Sequence, residues 1–589
     1  MSKKSVPQKK INSEIKSKST SNKKTSESEK LSDNSYTRAA EYTTAAKVGK
    51  EYKHEFRTSE NIDKSADRLS DGSLSSEQYT RLAPEGAEID ETHKALQIEF
   101  NHPAEKWIHK KNVRRLLGFL SKENKKGKTR LERMLLSYRN SSAPIGDKIK
   151  FWAIHKIMNK LFSAESWAKF ATRDKQFQAT LRGMNIVAKS LAEFGPTIPQ
   201  KFTSPLFVVW NFTNSCNLKC KHCYQDSEHE TLCDELTLAE KLDVVDQMGA
   251  LHIPMLAISG GEPTLSKDLV PVIKRASEYG MHISLATNGT TMTQKRANEL
   301  LDAGLRYVEI SLDSVSPERH DAFRGVPGMW EKSVAGARVV AKTKGLRLGI
   351  ATCIHQGNYD ELEKIIEFAE HDLKANCFAH FNFIPVGRGL KMVQGDITPA
   401  QREKLLSVLN RKMQAGGIGI ISTAPQLGRV CLAGAALDSG KITCSHAGSG
   451  SGIKARVVAK YLGGCGAGRC YVALEPNGNM TPCVYLPHRV MGNLRTQKFN
   501  DIFRGSIFWD ILNDRTKRLG HCEVCKFSDY CGGCRARADA YFGELHAGDP
   551  GCVFNDKHWE KLIDDGIAVI NENQSAEKLE LSPMRHGPG

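Results

Sequence analysis

LFVVWNFTNSCNLKCKHCYQ (206–225) joins a short, β-branched apolar run, LFVVWNFT (206–213), directly to three cysteines spaced Cys216-x3-Cys220-x2-Cys223. A continuous apolar run of this length suits a strand buried on both faces. The pattern recurs downstream in MLAISG (255–260), HISLATN (282–288), YVEISLD (307–313), RLGIATCI (347–354) and FAHFNFIP (378–385). Helical segments lie between them, the first near 237–249. Six strands alternating with helices predict an α/β fold in which a parallel sheet, crossing over right-handed, curls into a partial (β/α)6 TIM-like barrel. In such a barrel the site gathers at the C-terminal ends of the strands, so the residues after each strand carry the functional information.

After the first strand stand Cys216, Cys220 and Cys223. Three close thiolates can hold three irons of a cuboidal four-iron cluster and leave the fourth open. The spacing alone also suits zinc. The second strand ends in Gly260-Gly261-Glu262-Pro263, where glycines let backbone approach a ligand and Glu262 can accept from an ammonium group. CxxxCxxC followed by GGEP resembles the radical S-adenosylmethionine superfamily, and the resemblance covers about residues 200–560. It implies that the open iron chelates S-adenosylmethionine and that the reduced cluster releases a 5′-deoxyadenosyl radical. It further implies cofactor contacts from His222 at the aromatic position before the third cysteine and from Gly260, Gly261, Glu262 and Pro263. Asn288 after the third strand, Ser311 and Asp313 after the fourth, Arg324 in FRGVPG, and Asn382 with Pro385 complete the set. Asn288 with Gly289 as a plain turn, and Arg324 paired with a surface carboxylate, stand as alternatives.

Of sixteen cysteines, none precedes Cys216, and eight fall between Cys465 and Cys552. Metal or cluster ligation is the first reading of so many thiols in a chain expected to be cytoplasmic. The order Cys465, Cys470, Cys483, then Cys522-x2-Cys525-x5-Cys531-x2-Cys534 and Cys552 resembles the SPASM extension of radical enzymes. That resemblance assigns Cys465, Cys483 and Cys534 to one auxiliary cluster. Cys522, Cys525, Cys531 and Cys552 go to the other. The last pair is separated by two residues where many members have three, and Cys470 is either a fourth ligand or a spare thiol. Cys353 reads as a small core residue of its strand, and Cys431 and Cys444, in a Gly- and Ser-rich insertion near the expected substrate entrance, as ordinary loop cysteines or substrate-side thiols.

No secretory signal opens the chain, and no apolar run is long enough to span a membrane. Residues 1–90 are polar and read as a disordered tail. Residues 91–200 read as basic helices, with about 22 basic against 9 acidic side chains in a chain of net charge +17. Their basic face is either solvated or turned to an anionic surface. In DKIKFWAIHKIMNKLF, Phe151, Ile154, Ile157, Met158 and Leu161 recur at helical steps. The core barrel is expected over 201–420, a Gly- and Ser-rich insertion or linker over 421–460, the SPASM domain over 461–560, and a C-terminal helix and tail over 561–589.

The expected cofactors are S-adenosylmethionine, one SAM-binding 4Fe–4S cluster and one or two auxiliary clusters. The expected partner is a low-potential electron donor such as ferredoxin or flavodoxin. The motifs lie nearest to members that oxidatively modify tetrapyrroles or other cofactor precursors, which rank above a peptide-modifying maturase. A zinc-binding nucleic-acid or interaction protein, and an electron-transfer protein without radical chemistry, are the readings from other classes.

Overall fold

The strands run β1 (Phe207–Asn211), β2 (Met255–Ser259), β3 (His282–Thr287), β4 (Tyr307–Ser311), β5 (Arg347–Ile354), β6 (Cys377–Asn382), β7 (Gly419–Ser422), β8 (Lys441–Thr443), β9 (Ser449–Ser451), β10 (Tyr471–Leu474), β11 (Asn479–Thr481) and β12 (Gly492–Asn493). The computed structural model describes residues 108–125, 127–161, 174–434, 440–443 and 449–567. The stretch 1–90 and Cys444 lie outside the described residues. β1 to β7 pair in sequence order, each parallel to the next. The sheet is wider than the six strands expected: β10 adds parallel to the free side of β1, and β11 and β12 continue antiparallel. β8 and β9 form a separate hairpin.

Strand periodicity divides each strand between two faces. Val208, Trp210, Leu256, Ile258, Ile283, Leu285, Val308, Ile310, Leu348 and Ile350 are fully buried in the main core. Their neighbours, among them Asn211, Ser259, Ser311 and Cys353, turn to the lumen side. The covering helices are set by their caps. After α1 (Lys111–Leu120), α2 (Arg130–Ser137), α3 (Ile145–Leu161) and α4 (Asp174–Phe194) come α5 (Leu238–Ala250), α6 (Leu269–Glu278), α7 (Gln294–Ala303), α8 (Pro317–Arg324), α9 (Met329–Lys342), α10 (Leu362–Glu367) and α11 (Pro399–Ala415). Thr237 with Glu240 and Thr398 with Gln401 form reciprocal capping boxes at α5 and α11. Such caps are worth about 1 kcal/mol each.

The basic helices build a small core from Leu120, Leu131, Leu135, Tyr138, Phe151 and Leu181. Of the expected α3 stripe, Phe151 is buried and Ile154 partly so, while Ile149 and Trp152 face outward. α4 is fastened to the barrel by the buried Arg182. Its guanidinium donates to the carbonyls of Ile253 (3.0 Å), Tyr279 (2.8 Å) and Gly249 (2.9 Å). Gly249 lies in the last turn of α5, where a cation is favoured by the helix dipole.

The stretch 421–460 is built of elements: α12 (Gln426–Gly434), the β8–β9 hairpin and α13 (Gly452–Leu462). Cys431 is fully buried in α12 within the main core, not in a loop. Leu427, Val430 and Cys431 recur at helical steps, which explains their burial. Farther on stand α14 (Phe499–Gly505), α15 (Ile507–Asn513), α16 (Arg535–Phe542) and α17 (Asp556–Asp564), the last beginning before the position expected for a C-terminal helix. Among the described residues no helix is long and apolar enough to cross a membrane.

On β4, Glu309 has the Tyr307 hydroxyl (3.3 Å) as its side-chain donor, and burial lifts its carboxyl from 4.5 to about 7. Its protonated form therefore favours folding, a contribution fully present below the unfolded value and lost as pH rises from 4.5 to about 7. Glu309→Gln should flatten that decline in a series of denaturant midpoints across the window. Identical pH profiles for variant and parent would count against it.

Candidate active site

The three leading cysteines occupy the loop after β1, and every neighbouring strand end grips that loop. Behind β2, the Gly261 and Glu262 amides donate to the carbonyls of Thr213 and Ser215, both at 2.8 Å. After β3, Asn288 Nδ2 donates to Asn217 Oδ1 (2.8 Å), and Asn217 Nδ2 to Thr290 Oγ1 (2.9 Å). At the end of α8, the carbonyls of Phe323 and Arg324 accept from the Lys221 and Lys219 amides. Beyond β6, the Arg388 guanidinium donates to the carbonyls of Cys220 (2.9 Å) and Ser227 (2.7 Å) and pairs with Asp226 (3.0 Å). Each sulfur also receives one N–H: Cys216 from the Leu218 amide (3.4 Å), Cys223 from the Ser227 amide (3.4 Å) and Cys220 from Arg324 Nη1 (3.7 Å). Burial pushes the Cys216 thiol up to about 12, so a thiolate there needs a cationic partner.

The glycines of GGEP also let backbone approach backbone. A Cβ on Gly260 would lie 2.7 Å from the Thr213 carbonyl and 2.8 Å from the Phe212 nitrogen, and one on Gly261 would overlap the Ser215 carbonyl. They let the β2 turn press on the cysteine loop itself. Gly261→Ala should therefore displace that loop and cost about 1–3 kcal/mol, read by thermal melts and by iron retained at the leading cysteines. Unchanged iron and melting temperature would mean that the backbone yields without cost.

Glu262 is wholly buried. Oε1 accepts from the Thr264 amide (3.0 Å) and the hydroxyls of Thr264 (2.5 Å) and Thr287 (2.7 Å), and Oε2 from the Asn288 amide (2.8 Å). Burial raises its pKa, and these donors pull it back. Pro263 opens a 3-10 turn over Pro263–Leu265. Asn288 makes the turn, accepting from the Thr290 amide, and its side chain also ties the cysteine loop through Asn217. Arg324 is paired with the buried Asp313 (2.6 Å), not with a surface carboxylate. Asp313 in turn accepts from the Cys353 amide (2.9 Å).

Ser311 lies at the C-terminal end of β4. His222 stacks on Phe323 at 4.3 Å, Phe323 stacks on His355 at 4.2 Å, and burial holds both histidines neutral. Asn382 Oδ1 is taken by Arg402 (3.1 Å) and Arg537 (2.7 Å), while its buried Nδ2 has no partner. Pro385 is buried in the loop after β6, which runs on to Gly387 against the Cys223 and Tyr224 carbonyls.

The later thiols fall into two neighbourhoods. Burial raises Cys483 and Cys534, and the Cys465 thiol adds to both. Cys470 also neighbours Cys465 but packs in an apolar group with Ile186 and Phe202. Cys525, Cys531 and Cys552 are likewise raised by burial, with Cys522 adding to each. Among the described residues no three His, Cys, Asp or Glu converge on a single-ion site, whereas zinc–sulfur bonds of about 2.3 Å require such convergence.

The radical SAM superfamily model matches residues 210–369, and the SPASM model, described as an iron-sulfur cluster-binding domain, matches 465–526. The AdoMet-dependent heme synthase of Methanosarcina barkeri is 31% identical over 354 residues, 60% of this chain and 97% of that protein. The chain belongs to the radical SAM superfamily. The PqqA peptide cyclase of Rhizobium meliloti is 27% identical over 375 residues, covering 62% of this radical SAM chain and 90% of its own. The structure of SuiB from Streptococcus suis bound to S-adenosylmethionine shares the fold, with a TM-score of 0.51, 16% identity, and coverage of 72% of this chain and 92% of that one. This radical SAM protein is thus an enzyme that uses S-adenosylmethionine and 4Fe–4S clusters, and the zinc-binding and electron-transfer readings fall away.

The donor set fits those groups, since every leading sulfur already accepts an N–H, as cluster thiolates do. Several residues around the radical SAM site carried no sequence signal. Arg388 sits in an unremarkable GRG. Arg537 reaches Asn382 from 155 positions away. Tyr224 meets Tyr485 edge-on at 5.1 Å, and Tyr485 neighbours Cys483 and Cys534. Cys353 is buried as expected, but among Asp313, Arg324 and Tyr485 on the lumen side, not in the outer core.

Proposed function

We propose that the enzyme oxidatively modifies a tetrapyrrole or related cofactor precursor bound in the lumen, between the leading cysteines and the first auxiliary thiols. One observation carries the reading. The Tyr224–Tyr485 contact spans from the residue after Cys223 to the neighbourhood of Cys483 and Cys534, so one aromatic pair links the two groups of thiols. Similarity along 97% of a heme synthase supports the substrate class. In this reading Cys216, Cys220 and Cys223 hold the SAM-binding cluster. Cys465, Cys483 and Cys534, with Cys470 beside them, hold one auxiliary cluster, and Cys522, Cys525, Cys531 and Cys552 the other.

When bound, the reduced cluster and S-adenosylmethionine supply a 5′-deoxyadenosyl radical able to take hydrogen from an unactivated carbon. The chain's own residues position and insulate. Glu262, Asn288 and the Asp313–Arg324 pair fix the cysteine loop, and Arg388 holds its far side. The His222–Phe323–His355 stack walls the site without adding charge. A ferredoxin or flavodoxin supplies the electron in the cytoplasm, and residues 91–200 hold about 22 basic against 9 acidic side chains.

The test is anaerobic incubation of the reconstituted enzyme with dithionite, S-adenosylmethionine and a carboxylate-bearing iron tetrapyrrole, followed by mass spectrometry. Stoichiometric 5′-deoxyadenosine with a mass change in the tetrapyrrole supports the reading. Cofactor cleavage indifferent to the tetrapyrrole would overturn it and favour a peptide substrate, to which the similarity to a peptide cyclase already points.

A further inference from the structure

Arginines crowd the auxiliary thiols: Arg469 and Arg515 neighbour Cys470, Arg518 neighbours Cys465 and Cys522, and Arg535 shares the surroundings of Gly533 with Cys522; none of the four has a carboxylate partner among the described residues. Arg469, Arg518 and Arg535 are buried to 2% exposure or less, and Arg515 is partly buried. Arg469 donates to the carbonyls of Leu462, Gly463 and Cys465, leaving Nε and Nη1 buried without a partner. Arg515 donates to the carbonyls of Ser528, Asp529 and Gly463. Arg535 donates to those of Gly533, Leu545 and Ala547, with Nη2 left over. Arg518 has only His546 Nδ1 (3.4 Å) and the Leu512 carbonyl (3.5 Å), with Nε left over.

Nearby carboxylates are engaged elsewhere. Asp549 accepts from Gln426 and the Cys534 amide, Asp514 from Thr516, and Glu403 pairs with Arg429. Asp529 neighbours Arg515 without an ion pair. At the leading cysteines the balance is opposite: Arg324 is matched by Asp313, Arg388 by Asp226, and Glu262 is an added buried acid.

A buried cation without a counter-ion costs several kcal/mol, so Arg469, Arg518 and Arg535 point to an anion beside them, with Arg515 adding its charge from the partly exposed side. A four-iron core of about +2 held by four thiolates is a dianion, and gaining an electron makes it more negative still. We propose that Arg469, Arg515, Arg518 and Arg535 are positioning charges that favour the reduced state of the auxiliary clusters over that of the SAM-binding cluster. This rests on the assignment of those thiols to auxiliary clusters. One electron leaving the substrate reduces an auxiliary cluster by one electron, and a ferredoxin- or flavodoxin-type carrier removes it. The arginines set the direction of that transfer.

Arg518→Gln is the variant of choice because its existing hydrogen bonds are the weakest of the four. In an EPR-monitored redox titration of the reconstituted enzyme, its auxiliary clusters should show about a tenfold lower reduced-to-oxidised ratio at fixed potential, or about 59 mV for one electron. Arg518→Lys should keep most of the parent value, since charge and not shape is at issue. Arg515→Gln, at the partly exposed member, reads the same quantity should the first variant load iron poorly. Midpoints unchanged in both Gln variants, or equally lowered in Lys and Gln, overturn the proposal. A parent enzyme with only about four irons per chain overturns instead the cluster assignment beneath it.

Discussion

Cys220→Ala abolishes 5′-deoxyadenosine formation, to the level of a sample without enzyme, and removes about a third of the iron while the auxiliary iron stays. The expectation follows from how the loop is held. Cys220 Sγ accepts from Arg324, but the loop's backbone is fixed independently by Arg388 on the Cys220 carbonyl and by the Gly261 and Glu262 amides. In the proposed assignment, removing one sulfur therefore removes an iron ligand without releasing the fold. The auxiliary thiols are supported from other elements, Cys534 by Asp549 and Cys465 by the Cys531 carbonyl, so they do not sense the change. Iron analysis and chromatography on one anaerobic preparation decide it. Wild-type cleavage by the variant would remove the SAM-binding role from this loop, and loss of all the iron would show that the cluster sites form cooperatively.

How much of this was legible in the sequence depended on how local the signal was. The first six strands announce themselves because each is a continuous apolar run between helical segments, and the site follows from their polarity. β10 is equally apolar, but its partner β1 lies more than 250 residues earlier, and nothing local declares that pairing. β7, β11 and β12 are too short to show a period. The need for close approach at Gly260 and Gly261 is legible in the motif, but the clash of a Cβ with the chain's own cysteine loop is visible only in the fold. Cys431 was hidden by the Gly- and Ser-rich residues after it, although Leu427 and Val430 already carried the helical period. The arginines near the auxiliary thiols look like surface charge in any composition count. Only the fold shows that Arg469, Arg518 and Arg535 are buried.

The auxiliary domain and the barrel are joined by charge as well as by chain, and Asp396 is where that joint is most vulnerable. Its carboxylate is fully buried and accepts from Arg402 (2.6 Å), from the Tyr541 hydroxyl (2.9 Å) and from Arg537. Arg537, on α16, also donates to Asn382 Oδ1 (2.7 Å) and the Phe383 carbonyl (2.5 Å) at the end of β6, and neighbours Asp549 at 3.6 Å. Two guanidinium groups are thus balanced by two carboxylates. Asp396→Asn preserves shape but leaves two buried cations facing Asp549 alone, and breaking such a pair costs about 3–5 kcal/mol. Against a total stability of about 5–15 kcal/mol, that should lower soluble yield and the denaturant midpoint sharply. Adding Arg402→Met to Asp396→Asn restores the charge balance, so the double variant should recover part of the loss. A double variant no more stable than the single one would mean that hydrogen-bond geometry, not unpaired charge, sets the cost. The grip on Asn382 should change with it, because Arg402 and Arg537, both held by Asp396, are the two donors to its Oδ1.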